Sequence, residues 1–373
     1  MPACGLAKGR VGWSSQQQGE QIVKAYQITQ WGAPLEEREI PVPEPQGTEI
    51  LIKVTACGVC HSDVHIGEGY FDLGGGNRLD MAERGLSLPF TMGHEVVGEV
   101  AALGPDAGGV ALGERRIVFP WIGCGQCAVC RRGDELLCLA PRTVGVRVHG
   151  GFAEYCLVPD AKYLLALDGV PETHAATCAC SGVTAISALK KVGKLADDES
   201  LLLIGAGGVG LAALGMARSV TGGRLIVADV DPAKRDAAMA AGADAVLDNS
   251  DADAVSAAQD LTGGGSIAAV DFVGAPATSG FAIQALVKGG TLVSVGLYGD
   301  ALPVSLALLP LKMLSIKGSY VGTLAEMNEL MGLVREGRLT PVPVTERPLA
   351  QAPQTLQDLK EGRVLGRHVL TNS

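Results

Sequence analysis

The first half of the chain is patterned by short stretches in which apolar and polar residues alternate. A period of two is typical of half-buried β-strands, particularly where β-branched residues are enriched and Gly or Pro marks the ends. The clearest stretches lie at residues 49–56, 95–102, 115–120 and 151–159. The pattern predicts a mostly β region from Val23 to about Leu167. Residues 1–22 are small and polar without a sustained period, which predicts a loose N-terminal tail.

From about residue 180 the pattern changes to apolar runs separated by helical stretches. Helical periodicity is found at 232–241, where Pro232 suits the first turn of a helix, and at 277–287. The apolar runs are residues 201–204, 225–228, 245–247, 267–273, 291–296 and 314–317. Strands alternating with helices are typical of a parallel sheet covered by helices. The sequence therefore predicts an α/β fold with a doubly wound parallel sheet, and the mixed C-terminal pattern is expected to rejoin the β region.

Length and composition narrow the class of protein. A chain of 373 residues is long for one core, so two domains are expected, and a hydrophobic content of 47% is sufficient for both. The net charge of −10 disfavours nucleic acid and anionic membranes as partners. We recognise no secretory signal, and the longest uncharged apolar run, 201–217, is short for a membrane span. We therefore expect a cytoplasmic protein whose ten cysteines serve metal binding or catalysis rather than disulfides.

A glycine-rich motif follows the first apolar run of the second half. It reads Gly205-Ala206-Gly207-Gly208-Val209-Gly210 and opens a helical stretch. In this context the first glycine permits the turn, the second lets a pyrophosphate approach, and the third lets the helix pack on the strand. Asp229 ends the next strand, where its carboxylate suits a ribose 2′-hydroxyl and repels a 2′-phosphate, and Lys234 offers a second polar contact. The motif predicts a dinucleotide site for NAD rather than NADP.

Two cysteines and a histidine in separate loops form a first candidate metal set. Cys60 lies in the run GVCHSD, His94 in GHE and Cys180 in CSGVT. Two thiolates and one imidazole leave the fourth corner of a tetrahedral zinc open for a substrate. Cys178 remains an alternative to Cys180 as the second sulfur ligand. Because the glycine motif begins 25 residues after Cys180, the sequence predicts a catalytic zinc beside a nicotinamide, an arrangement suited to hydride transfer at an alcohol carbon.

Four further cysteines form a second candidate metal set. Cys124, Cys127, Cys130 and Cys138 have the spacing C-x₂-C-x₂-C-x₇-C in a loop rich in glycine. Four thiolates so close in the chain close a tetrahedron around Zn²⁺ and leave no open position. An iron–sulfur cluster also takes four cysteines, but its common spacings differ. The run predicts a structural zinc that holds a long loop with little core of its own.

With these motifs in hand, residues 23–373 resemble the zinc-dependent medium-chain alcohol dehydrogenases. The resemblance rests on GVCHSD at 58–63, GHE at 93–95, the four cysteines, CSGVT at 180–184, GAGGVG at 205–210, and Gly366-Arg367. It implies a mostly β, GroES-like catalytic domain at 23–180 and 321–373, with its structural-zinc lobe at about 120–140. It also implies an NAD-binding Rossmann domain at 181–320. The cofactors so implied are NAD and two Zn²⁺ per subunit, and the assembly is a homodimer or homotetramer joined through edge segments such as 292–298 and 302–313.

The resemblance further implies roles for residues around the catalytic zinc. Ser62 takes the substrate proton and His65 passes it to solvent. Asp63 orients the imidazole of His94, and Glu95 is a carboxylate that approaches the metal during ligand exchange. The implied cofactor contacts are His61 at the phosphates, Thr184 at the nicotinamide and Arg367 at the pyrophosphate.

The implied reaction converts a primary or secondary alcohol and NAD⁺ to an aldehyde or ketone and NADH. The segment between Cys60 and His94 is longer than in many members of the family. We expect its apolar residues to line or cover the pocket and to favour bulky or aromatic substrates; they are Tyr70, Phe71, Leu73 and Met81. Two alternatives stay open: a polyol dehydrogenase, although many of those replace the second cysteine by a carboxylate, and a non-enzymatic zinc- and NAD-binding sensor on the same fold.

Overall fold

The computed structural model describes residues 21–372. The tail predicted at 1–22 lies almost wholly outside this range, and the first strand begins at Ile22, one residue before the predicted start. The strands are β1 (Ile22–Ile28), β2 (Glu36–Pro41), β3 (Ile50–Gly58), β4 (Tyr70–Gly74), β5 (Asn77–Asp80), β6 (Phe90–Thr91), β7 (Glu95–Leu103), β8 (Arg115–Val118), β9 (Tyr155–Val158), β10 (Leu164–Ala166), β11 (Ser200–Ile204), β12 (Arg224–Ala228), β13 (Ala245–Leu247), β14 (Ser266–Asp271), β15 (Leu286–Ser294), β16 (Ser315–Gly318), β17 (Val344–Pro348) and β18 (Arg367–Thr371).

Helices connect these strands and cover the second half of the molecule. Within the described residues, no helix has both the length and the apolar character needed to cross a membrane. The helices are α1 (His61–Glu68), α2 (Ala128–Arg131), α3 (Glu172–Thr177), α4 (Val183–Val192), α5 (Gly208–Val220), α6 (Pro232–Ala240), α7 (Ala254–Thr262), α8 (Pro276–Ala285), α9 (Leu308–Lys312), α10 (Leu324–Arg335) and α11 (Ala352–Lys360), and a π-helical turn (Cys178–Gly182) joins α3 to α4.

The second half forms the predicted parallel sheet. Six strands pair in the order β13-β12-β11-β14-β15-β16, and every pairing is parallel. β11 lies centrally and all five of its residues are buried, because both faces of the sheet are covered by helices. This order is that of a doubly wound dinucleotide-binding sheet, in which ligands bind beyond the carboxyl ends of the strands. The predicted α/β fold is confirmed.

One predicted boundary in this sheet is wrong. Helical periodicity was expected to continue to residue 287, but α8 ends at Ala285 and β15 begins at Leu286. Leu286 is 2% exposed and pairs with Ser266 at the start of β14. An apolar residue at this junction fits a helix and a strand equally well, and its burial against the sheet decides for the strand.

The first half forms a mixed sheet around β3. The strand order is β10-β8-β7-β3-β18-β17, with β9 also paired to β3. β18, from the C-terminal part of the chain, runs antiparallel to β3 and pairs Val369 with Gly58. The C-terminal residues therefore complete the sheet that was begun near the N-terminus.

The long segment between Cys60 and His94 contains an antiparallel hairpin, β4–β5, whose residues 70–80 we call the hairpin. In the hairpin, the aromatic ring of Phe71 packs against the imidazole ring of His65, with the two ring centroids 5.0 Å apart. None of the four residues expected to line the pocket is among the residues that line the cleft. Met81 is 2% exposed within the core, Leu73 is 57% exposed to solvent, and Tyr70 and Phe71 also lie outside the lining. The apolar residues Phe71 and Met81 of this segment therefore pack against the rest of the domain.

Candidate active site and metal centres

Three pieces of the fold bring the first candidate metal set together. β3 and β7 run antiparallel with Gly58 paired to Glu95, so the loop after β3 lies beside the residues before β7. This register places Cys60 next to His94. The π-helical turn between α3 and α4 presents Cys180 to the same point. A wide turn of this kind inside a helix is frequently found at functional sites.

The geometry of this set is compact and buried. The ligand atoms of Cys60, His94, Glu95 and Cys180 all lie within 4.8 Å of one another. The two sulfur atoms are 3.8 Å apart. Cys178, the alternative to Cys180, lies outside this cluster, and its thiol donates to the backbone carbonyl of His174 at 3.5 Å. The structure therefore brings together the three predicted ligands and leaves Cys178 aside.

The pKa values of the two cysteines and the hydrogen bonding of His94 suit a metal cation. The Cys180 thiol donates to Cys60, which lowers the pKa of Cys60 well below its ordinary value and raises that of Cys180. Within residues 21–372, Nε2 of His94 is buried without a hydrogen-bond partner. Buried polar atoms are rarely left without partners unless an ion or water supplies one. Two cysteine sulfur atoms and an orphaned imidazole nitrogen fit Zn²⁺, for which thiolate and imidazole are preferred ligands.

Asp63 fixes the orientation of this set. One oxygen of its buried carboxylate accepts from Nδ1 of His94 at 3.1 Å, and the other accepts from the backbone N–H of Cys60 at 2.9 Å. Nδ1 therefore carries the proton, and Nε2 is left free to act as a ligand. Trp121 packs edge-on against His94 at 5.4 Å and donates from its indole N–H to the carbonyl of Ala179 at 2.9 Å. Asp63 thus joins Cys60 to His94, and Trp121 joins His94 to the turn that carries Cys180.

Glu95 and Arg367 form a buried ion pair behind the set. Burial raises the pKa of Glu95 to about 7, against the opposing effect of the Arg367 guanidinium. The second carboxylate oxygen of Glu95 has no hydrogen-bond partner among the described residues, and one of its two oxygens belongs to the ligand-atom cluster. The aliphatic part of Arg367 crosses the glycine motif so closely that a Cβ on Gly208 would lie 2.3 Å from its Cδ. Arg367, expected only at the pyrophosphate, therefore joins the metal set to the cofactor loop.

The four predicted cysteines of the second set also meet. Cys124, Cys127, Cys130 and Cys138 form a cluster whose sulfur atoms lie 3.4–3.9 Å apart where they contact. Backbone N–H groups of Gln126 and Cys127 donate to the Cys124 sulfur and lower its pKa to about 6. Amide donors directed at sulfur favour thiolates, which are the form that binds zinc.

The glycine motif shows the packing expected of a dinucleotide loop. Gly205 has a φ of +90°, and a Cβ on Gly210 would lie 1.8 Å from the Gly205 carbonyl oxygen, so α5 packs directly on the end of β11. No atom lies within 4 Å of a Cβ built on Gly207, which leaves room beside the loop. Asp229 lies at the end of β12, where its carboxylate accepts from the backbone N–H groups of Ala206 at 2.7 Å and Asp231 at 2.9 Å. The acidic side chain is thereby held against the motif.

One cleft of about 320 Å³ connects the metal set with the glycine motif. His94, Glu95 and Asp63 lie behind its wall rather than on it. The predicted site residues that line the cleft are Cys60, His61, Ser62, His65, Cys180, Thr184, Gly205, Gly207, Gly208, Val209, Gly210, Asp229, Lys234 and Arg367.

The far wall of the cleft is formed by residues to which the sequence analysis gave no role in the site. It includes 295–298, part of the segment 292–298 that was expected at an oligomer edge; that expectation is wrong, because β15 lies between β14 and β16 inside the sheet. The far-wall residues follow β14 and β15 in the cofactor sheet, and Tyr320 and Val321 follow β16. These residues could have been predicted from the sequence, because ligands bind beyond the carboxyl ends of parallel strands and these residues lie at or just after the ends of predicted strands. Those after β14 and β15 are Phe272, Val273, Val295, Gly296, Leu297 and Tyr298.

Comparison with known proteins agrees with this architecture. The family model of the alcohol dehydrogenase GroES-like domain matches residues 46–169, and that of the zinc-binding dehydrogenases matches 208–336. The chain is 37% identical to an NAD-dependent alcohol dehydrogenase of Sulfurisphaera tokodaii over 93% of its own length and 99% of the relative. It is 32% identical to an alcohol dehydrogenase of Geobacillus stearothermophilus over 93% of its own length and 98% of the relative.

Solved structures give the same result. The alcohol dehydrogenase of Aeropyrum pernix superposes with a TM-score of 0.85 at 30% identity, over 94% of this chain and all of the other. The acetophenone reductase of Geotrichum candidum in complex with NAD superposes with a TM-score of 0.83 at 27% identity, over 96% of this chain and 99% of the other. The two sheets and their shared cleft define a two-domain dehydrogenase with a Rossmann and a GroES-like domain. Within that class, the chain belongs to the zinc-type medium-chain alcohol dehydrogenase family and is an enzyme of this type.

Proposed function

We propose that this protein is a zinc-dependent enzyme that transfers hydride between a primary or secondary alcohol and NAD. One observation carries the proposal: the buried Cys60–His94–Cys180 set and the glycine motif open onto a single cleft. Because the candidate metal ligands and the dinucleotide loop share one cleft, a substrate carbon bound near the metal can lie next to a bound nicotinamide. NAD dependence is further supported by the relatives described as NAD-dependent alcohol dehydrogenases.

Cys60, His94 and Cys180 are the proposed ligands of the catalytic zinc. Bound there, zinc would supply Lewis acidity to an alcohol or carbonyl oxygen at its open position. Asp63 keeps His94 in the tautomer that presents Nε2. Glu95 contributes a carboxylate oxygen to the cluster, and its carboxylate is also held by Arg367. This arrangement keeps a negative group beside the ligands without making it one of the three.

Ser62 and His65 are the proposed path for the substrate proton. Both lie on α1 and line the cleft, and their spacing of three residues puts them on one face of the helix. Burial lowers the pKa of His65, and the neighbouring His61 lowers it further. His65 is therefore neutral at physiological pH and able to accept a proton that Ser62 passes on.

The cofactor is proposed to be NAD, held by the glycine motif. Asp229 places a carboxylate, 8% exposed, beside the loop, where a 2′-hydroxyl is accepted and a 2′-phosphate is repelled. Lys234 lines the same end of the cleft. The remaining proposed contacts line the cleft at other points; they are His61, Thr184 and Arg367.

The four-cysteine lobe is proposed to hold a second, structural zinc, which gives two per chain. Its cysteines form a closed set with no fifth ligand group among the described residues. The regular structure of the lobe is limited to the short helix α2 and a 3-10 turn at Glu135–Leu137, so cross-linking through a metal would replace a hydrophobic core.

Bulky or aromatic alcohols are the proposed substrates. The cleft wall carries Leu297, Tyr298 and Tyr320, which offer apolar and aromatic surface. The likeness to an acetophenone reductase supports the same preference. Since Tyr70, Phe71, Leu73 and Met81 do not line the cleft, we assign the preference to this wall rather than to the apolar residues of the long segment.

Initial rates with zinc-loaded protein test the proposal. NAD⁺ and NADP⁺ are compared across short aliphatic, long aliphatic, benzylic and polyol substrates. Turnover of a benzylic alcohol with NAD⁺, lost on zinc removal and restored by its addition, is the expected result. Preferential turnover of polyols would favour the polyol dehydrogenase alternative, and NADH binding without any turnover would favour a sensor.

We also propose a homo-oligomer assembled through the edge of the cofactor sheet. β16 pairs only with β15 among the described strands, and all four of its residues are exposed. Leu306, Leu311 and Met313 nearby are 82%, 73% and 66% exposed. An exposed strand edge flanked by large apolar residues is a typical association surface. Sedimentation of the wild type and of Ile316→Lys, expected to dissociate, tests this assembly.

A further inference from the structure

The hairpin contacts the cofactor domain beside the cleft. It begins immediately after α1, the helix that carries Ser62 and His65 on one wall. Its tip meets the loop 299–301, which directly follows the far-wall residues Leu297 and Tyr298. The two chain segments that form opposite walls of the cleft therefore continue into one contact.

This contact is between backbones and admits only glycine. A Cβ on Gly74 would lie 2.5 Å from the backbone nitrogen of Ala301 and from the carbonyl carbon of Asp300. From the other side, a Cβ on Gly299 would lie 2.8 Å from the Cβ of Asp72 and 3.0 Å from its carbonyl oxygen. Non-bonded carbon atoms prefer separations of about 3.5–4.0 Å, so either methyl group would push the two segments apart by roughly an ångström.

Both partners are firmly attached to their own domains. At the base of the hairpin, Met81 donates its N–H to the carbonyl of Gly69 at 2.8 Å and is buried in the core. On the cofactor side, the N–H of Tyr298 donates to the carbonyl of Val273 at 3.1 Å, and that of Gly299 donates to the carbonyl of Gly274 at 3.3 Å. A movement that separates the walls must therefore break the contact between hairpin and loop rather than deform either partner.

We propose that the hairpin is a clasp that closes the cleft over the bound cofactor and slows its release. The inference rests on the proposed NAD-dependent function and adds a role for the long segment that the proposed chemistry does not use. The contact between Asp72–Gly74 and 299–301 holds the two walls together, and a dinucleotide leaves when it opens.

Alanine substitutions in the hairpin test the clasp with a control in the same turn. Gly74 and Gly76 have nearly equal φ values, +80° and +81°, but no atom lies within 4 Å of a Cβ on Gly76. Gly74→Ala and Gly76→Ala therefore introduce the same backbone strain, and only Gly74→Ala disrupts the contact. On the other side, the control for Gly299→Ala is Gly289→Ala. Both glycines have a positive φ, +105° and +86°, but only the Cβ on Gly289 would meet open space.

The measurement is the dissociation rate of NADH from each full-length, zinc-loaded variant, followed by displacement of NADH fluorescence. We expect Gly74→Ala and Gly299→Ala to release NADH roughly five- to tenfold faster, as for a loosened lid, and the two controls to stay within about twofold of wild type. The double variant should resemble either single one, because both changes break one contact.

Wild-type release rates in both Gly74→Ala and Gly299→Ala would overturn the clasp while leaving the proposed function intact. If Gly74→Ala does not fold, Gly299→Ala decides alone, since it disturbs the same contact from the opposite domain. A wild-type protein that binds neither NADH nor NADPH would overturn the proposed function and the clasp with it.

Discussion

At the scale of single residues, the metal set is organised by side chains that are not ligands. The sequence alone predicted Cys60, His94 and Cys180, because sulfur and imidazole have few other uses at such spacings. It did not predict that Asp63 also binds the backbone of Cys60, or that Arg367 pairs with Glu95. The Arg367–Glu95 pair depends on register between distant strands, which no local pattern records. The Asp63–Cys60 contact is local, at the first turn of α1, but the resemblance assigned Asp63 only to His94.

Asp63→Asn tests the positioning of the catalytic ligands. The amide cannot accept from both His94 and Cys60 as a carboxylate does, so the imidazole loses its fixed tautomer. We expect zinc affinity at this site to fall about 10- to 100-fold. Zinc retained against graded chelator concentrations gives the measurement. Asp160→Asn makes the same change at a turn where the amide oxygen can still accept from Lys162; it is the control and should bind zinc as the wild type does.

His65→Asn tests the proton path through its dependence on pH. The pKa of His65 lies below its ordinary value of 6.5, so the neutral, proton-accepting form dominates above pH 6.5 and is lost as the pH falls further. We expect wild-type alcohol oxidation to lose this contribution only on the acid side. In His65→Asn, kcat near pH 7 should fall about 100-fold, with partial recovery at high pH, where hydroxide accepts the proton. Equal pH profiles for His65→Asn and the control His174→Asn would contradict the assignment.

At the scale of elements, the strongly periodic segments were predictable and the irregular ones were not. All six apolar runs of the second half contain strands. Burial on both faces explains the unbroken apolar signal of the central strand β11, whereas β16 is an exposed edge strand. The hairpin was not predicted, since its short strands and three consecutive glycines carry no alternation. The π-helical turn at Cys178–Gly182 was also missed, because one extra residue in a helix has no signature in a single sequence.

Cys138→Ser tests the structural role of the lobe. Removing one of four thiolates opens the closed set, so we expect the zinc content to fall from the proposed two per chain to one while NADH binding persists. Tm should fall by several degrees, since each kcal/mol lost corresponds to roughly 2–4 °C in a domain of this size. Metal analysis and calorimetry provide the readouts. Cys156→Ser, at a buried cysteine outside both sets, should keep both metals.

At the scale of the whole molecule, Arg367 ties together parts of the structure that are far apart in the chain. It lies on β18 of the mixed sheet, pairs with Glu95 on β7, and packs its methylene groups over Gly208 of the cofactor loop. One side chain thus connects the surroundings of the metal set to the dinucleotide site. Its removal should therefore affect more than the cofactor contact that the sequence implied.

Arg367→Ala leaves the buried Glu95 carboxylate without its cation. Breaking one partner of a buried ion pair typically costs about 3–5 kcal/mol, and urea unfolding at pH 8 should show a loss of this order. Arg338→Ala is the matched control, because its ion pair with Glu336 is exposed on both sides and such pairs contribute about 0–1 kcal/mol. Similar losses in the two variants would contradict a structural role for the buried pair.

The pairing of β18 with β3 has a consequence for biosynthesis. Every strand of the cofactor sheet is translated before β18, so that sheet can form while the polypeptide is still emerging from the ribosome. The mixed sheet cannot, because its central strand must wait for a neighbour encoded more than three hundred residues later. Capture of the catalytic ion is therefore expected to be a late, post-translational event that takes place on a molecule whose nucleotide half has already folded.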